Sequence, residues 1–86
     1  MTSFPEANHA WHKAAEVCLE ARVKYEATYG QAILAADAKT AEARKAQADL
    51  VSLADWKAWK QADIDALAAW NVVQYLLPAA ARPVLA

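Results

Sequence analysis

The stretch "AADAKTAEA" (Ala35 to Ala43) decides how this chain folds, because it is where one long apolar pattern stops and another starts. Asp37 and Lys39 end the apolar periodicity that precedes them. Thr40 has the side chain of a good helix N-cap, and Glu42 falls in the first turn of whatever helix follows, where a negative charge meets the positive end of the dipole. A break this short between two long helical segments forces the second to fold back on the first as an αα-hairpin.

Upstream, Ser3 is a candidate N-cap, Pro5 suits the first turn, and Glu6 suits the dipole. No proline interrupts the chain from there to the break, so the first helix is expected over 5–36. Gly30 lies inside it and is expected to be tolerated at a cost of about 1 kcal/mol against alanine. Phe4, Trp11, Cys18, Tyr25 and Ala32 recur every seven residues, and Ala7, Ala14, Ala21 and Ala35 occupy the partner positions, with Tyr29 and Ile33 joining late. That is a coiled-coil-like seam of alternating large and small residues, as expected for a helix packed lengthwise on another. Downstream, the second helix is expected over 41–77, stopped by Pro78. A competing layout breaks it at Ser52-Leu53-Ala54-Asp55, which resembles a capping box with Asp in place of Glu and would give three helices. The fold expected is therefore all-α, a single domain over 1–86: residues 1–4 as a cap, a long antiparallel hairpin, and an extended tail over 78–86 whose Val84 and Leu85 could dock or fray.

Composition bounds the function. Of 86 residues, 24 are alanine, which forms helix well and fills a core poorly. A net charge of −1 supplies no broad field to attract nucleic acid. The lone cysteine, Cys18, rules out an intrachain disulfide and suits a reducing compartment. The N-terminus lacks the basic-then-apolar order of a secretory signal, and no run approaches the roughly 20 apolar residues of a membrane span. A soluble, cytoplasmic protein with no membrane partner is expected.

The second helix carries two apolar stripes. Ala43, Ala46, Leu50, Leu53, Ile64 and Leu67 form one, interrupted by Lys57 and Lys60. Trp56, Trp59, Ala66, Trp70, Val73 and Leu77 form the other, interrupted by Asp63. A two-helix hairpin covers one stripe and leaves the other in water, and exposed apolar patches of that size mark interfaces. Self-association into a helical bundle is therefore expected, most simply a homodimer of four helices. Trp56, Trp59, Trp70, Val73 and Leu77 are the expected contact residues, since tryptophan dominates interface energetics.

Other constellations carry less chemistry. Glu6, His9, His12 and Glu16 share one side of the first helix, but a di-metal bundle needs the Glu-x-x-His motif twice with further carboxylates, so no metal or other cofactor is expected. Ser3 and Ser52 lie in no nucleophile elbow, Cys18 has nothing to lower its pKa, and one glycine cannot make a phosphate loop; no enzyme activity is expected. Lys57 and Lys60, interleaved with Trp56 and Trp59, have the residue types for stacking bases and pairing phosphates, and Lys39, Arg44 and Lys45 form a second basic spot at the turn. Asp55, Asp63 and Asp65 flank the first spot and argue against nucleic acid there; the lysines are better read as snorkelling over the rings or pairing with acids one turn away.

The segment "AILAADAKTAEARKAQADL" (Ala32 to Leu50) resembles small helical-hairpin proteins encoded by tailed bacteriophages and prophages. Those combine a tyrosine-rich first helix, a Gly/Ala-Lys-Thr turn, a Glu-Arg-Lys/Glu-Ala run and an Ala-Asp-Leu. Here the matching residues are Tyr25, Tyr29, Lys39, Thr40, Arg44, Ala46, Ala48, Asp49 and Leu50, within residues 20–53. The tryptophan-rich half after Leu50 departs from that pattern. The resemblance implies a viral accessory protein in a bacterial cytoplasm. Its most concrete form is a module that binds and blocks a host protein such as a defence or nuclease complex. Rival readings are an accessory of phage DNA recombination or replication with weak single-strand contact, and an assembly part that only oligomerises.

Overall fold

A computed structural model describes residues 2–77 of the chain. Two helices make up the fold, α1 (Phe4–Ala35) and α2 (Ala41–Leu76), packed against each other as a hairpin. Each boundary lies within one residue of the sequence expectation, 5–36 and 41–77. The expected tail over 78–86 lies outside the described residues.

Local chemistry sets the helix ends. Ser3 caps α1, its side chain accepting from the Glu6 backbone N–H at 3.4 Å, and Pro5 occupies the first turn. Thr40 caps α2, accepting from the Ala43 N–H at 3.1 Å, with Glu42 in the first turn. The turn between them is tied by side chains: Arg44 Nε donates to the Ala38 carbonyl at 2.7 Å, and Gln47 Nε2 donates to Asp37 Oδ1 at 3.1 Å. These bonds satisfy backbone and carboxylate groups that a tight connection would otherwise leave to water.

The three-helix layout does not occur, because α2 runs unbroken through Ser52. The Ser52 hydroxyl donates to the Ala48 carbonyl one turn back at 2.7 Å, so it is satisfied inside a helix and caps nothing.

Four cross-helix pairs fix the antiparallel register. Trp11 meets Trp70 with ring centroids 4.6 Å apart, Cys18 Sγ lies 3.8 Å from Asp63 Oδ1, Tyr25 stacks on Trp59 at 5.5 Å, and Thr28 Oγ1 donates to Asp55 Oδ2 at 2.6 Å. On α1 the seam follows the heptad track read from the sequence through its middle and leaves it at both ends, where Phe4 and Ala35 are exposed. On α2 the seam falls on Ala48, Ser52, Asp55, Trp59, Ala62, Ala66, Ala69 and Val73. Ala48, Ser52 and Val73 are 0%, 1% and 2% exposed. Small residues let the two backbones approach closely, but they leave the hairpin little apolar volume of its own.

Candidate interaction surface

The face of α2 turned away from α1 is apolar at both ends. Leu50, Leu53, Ile64 and Leu67 are 76%, 42%, 61% and 60% exposed. They continue at spacings of three and four through Lys57 and Lys60, so all six positions form one straight track, rotated about the helix axis from the seam at Ala48, Ser52, Asp55 and Trp59. Of the two stripes read from the sequence, it is this one that the fold leaves in water.

The tryptophan stripe is largely taken up by α1. Trp59 packs on Tyr25 and has the Arg22 guanidinium 5.9 Å from its ring centroid. Trp70 lies against Trp11, Val73 is buried in the seam, and Leu77 is half-buried. Trp56 alone keeps a large free surface, 41% exposed, at the edge of a shallow concavity of about 310 Å³ that it lines with Tyr25, Asp49, Ser52 and Leu53. Trp59 and Trp70 are half-buried, so the hairpin leaves only part of each indole for an outside contact, and Val73, at 2% exposed, leaves almost none.

The two lysines differ in their surroundings. The Lys60 ammonium sits over the Trp59 ring at 4.0 Å and within 5.9 Å of the Trp56 centroid, a cation–π arrangement that also shades the aromatic edge. Lys57 is exposed. Neither has a carboxylate partner among the described residues, whose ion pairs are Arg22 with Glu26 and Lys24 with Asp55. At the turn, Arg44 Nε donates to the Ala38 carbonyl, and Arg44, Lys39 and Lys45 all stay exposed as the cations of the second basic spot.

The remaining constellations stay dispersed. His12 packs beside Trp11 at 4.8 Å, and no group of three or more His, Cys, Asp or Glu side chains among the described residues could hold a metal ion. On α1, Val17, Leu19, Val23 and Leu34 are exposed; Leu19 and Val23 are one turn apart and flanked by Glu16, Glu20 and Glu26, and Val17 and Leu34 stand apart from them. No helix among the described residues is long and apolar enough to cross a membrane.

The outer track is legible in the sequence, and so is part of the α2 seam, since Trp59, Ala66 and Val73 belong to the tryptophan stripe; the small and polar seam residues are not. Ala48, Asp55, Ala62 and Ala69 recur every seven residues, as do Ser52, Trp59, Ala66 and Val73. That repeat was the available signal, masked because alanine, serine and aspartate do not read as core.

No family model, no curated protein and no solved structure matches this chain.

Proposed function

We propose that the chain is a non-enzymatic protein–protein interaction module that works by laying the outer face of α2 on another protein. The observation that carries this reading is the exposed track of Leu50, Leu53, Ile64 and Leu67, on a hairpin whose own buried core is Ala7, Ala48, Ala62 and Val73. A monomer gains nothing from holding four large aliphatic side chains in line in water; a partner that covers them does. A rigid hairpin with such a face can occlude a target without chemistry. The likeness to phage hairpins is the reason to place that target in a bacterial cytoplasm, with a defence or nuclease complex as its most concrete form. Self-association into a larger bundle is the other form the same reading takes.

The nucleic-acid alternative has less support. The Trp59 ring is engaged by Tyr25, Arg22 and Lys60 together, and base stacking needs a free aromatic face.

The test compares the full chain with a Leu53→Glu/Ile64→Glu variant, both by light scattering alone and by affinity capture from bacterial lysate. Loss of a stoichiometric partner, or of a dimer, in the variant alone supports the reading. A wild-type chain that stays monomeric and captures nothing the variant does not capture contradicts it.

A further inference from the structure

We infer that the outer face of α2 takes an amphipathic helix whose apolar residues meet Leu50, Leu53, Ile64 and Leu67 and whose carboxylates meet Lys57 and Lys60. This deepens the interaction reading above and rests on it.

The track has an internal order: an apolar pair, a cationic pair, an apolar pair, each one heptad from the next. At 1.5 Å per residue it runs about 26 Å, a straight ridge suited to another helix laid alongside. An aliphatic face of this kind is filled by leucine-like side chains at the same spacings of three and four. The centre is what selects among helices. Lys57 and Lys60 have no carboxylate partner within the hairpin, so their charges are available to an incoming one. Lys60 rests on indole rings rather than in an ion pair, and its flexible stem lets the ammonium swing back to the outer face.

A second copy of this chain presenting the same face fits the apolar ends and fails at the centre. Positions 50, 53, 57, 60, 64 and 67 are symmetric about their midpoint. An antiparallel copy would set Leu50 on Leu67 and Leu53 on Ile64, but it would also set Lys57 on Lys60 twice. A parallel copy in register sets each lysine on itself. Either arrangement gathers four ammonium groups inside an apolar contact, where like charges are strongly disfavoured. A helix with glutamate or aspartate at the two central positions turns both repulsive layers into ion pairs.

The probe is a labelled synthetic helical peptide with leucines at the four outer positions of the track and glutamates at the two central ones. A second peptide carries lysines in place of the glutamates. Fluorescence anisotropy against the full chain is expected to show the glutamate peptide binding at least roughly tenfold tighter, with the preference shrinking as salt rises. Lys57→Glu/Lys60→Glu should reverse the preference, and Leu53→Glu/Ile64→Glu should abolish both complexes, with circular dichroism checking that each variant stays helical. Equal binding of the two peptides, or no binding of either, overturns the inference. Self-association that Leu53→Glu/Ile64→Glu removes and Lys57→Glu strengthens would assign the face to a second copy: the partner assignment would fall and the interaction reading would stand. A chain that binds neither peptide, self-associates through no face and captures no partner ends both.

Discussion

The Thr28 hydroxyl donates a 2.6 Å hydrogen bond to Asp55 Oδ2 across the helix seam, making a polar bridge in a contact otherwise built mainly from alanines and aromatic rings. Asp55 sits on the seam with its side chain 20% exposed, and Lys24 reaches its other oxygen at 3.6 Å from a largely solvated position. The lysine contributes little, because an exposed ion pair is worth about 0–1 kcal/mol. The hydroxyl matters more. Alanines along a seam distinguish poorly between registers one turn apart, whereas a carboxylate that must find its donor fits only one.

Thr28→Val keeps the shape and removes the donor, leaving the carboxylate underbonded in the seam. The expected cost is about 1–3 kcal/mol in urea denaturation. Pairing it with Asp55→Leu removes both polar groups, and most of that loss should return. If the single variant were as stable as wild type, the bridge would hold no part of the fold.

Gly30 lies inside α1 without positive φ, and a Cβ built on it meets nothing within 4 Å. Gly30→Ala therefore introduces no clash, reduces the freedom of the unfolded chain and should stabilise the hairpin by about 0.4–1 kcal/mol, read as a higher thermal midpoint. Destabilisation would mean that the helix is bent or contacted there.

Ala48 is 0% exposed while Leu50, two residues away, is 76% exposed. Ala48→Leu should force the helices apart and cost about 1–3 kcal/mol, whereas Leu50→Ala should change stability by less than about 0.5 kcal/mol. Equal effects from the two in chemical denaturation would contradict this allocation of faces.

That contrast also marks how far the sequence could be read. The turn, both caps and the α1 seam were legible because Thr40, Ser3 and the Trp11–Cys18–Tyr25 heptad are strong local signals. On α2, hydrophobicity pointed to the larger residues, so Leu50 and Ile64 stood out and Ala48, Ser52 and Ala62 did not. Which stripe faces α1 depends on close backbone approach, a pair property that one helix read alone does not carry. Trp59 illustrates the result: read from the sequence as a partner contact, it lies half-buried on Tyr25.

Trp59 and Trp56 should accordingly separate by experiment. Trp59→Ala removes the ring that packs on Tyr25 and carries Lys60, and should lower hairpin stability by about 2–3 kcal/mol. Trp56→Ala, at the rim of the concavity, should cost less than half as much. A reversed order in thermal denaturation would place Trp56 in the fold's core.

The most direct test of the central claim uses the Leu53→Glu/Ile64→Glu variant, with its unfolding free energy and its binding measured on the same sample. If the outer face of α2 serves partners and not the fold, unfolding should shift by no more than about 1 kcal/mol, the sum of two surface substitutions, while association is lost. A variant that unfolds, or one that stays folded and binds as wild type does, would contradict the claim.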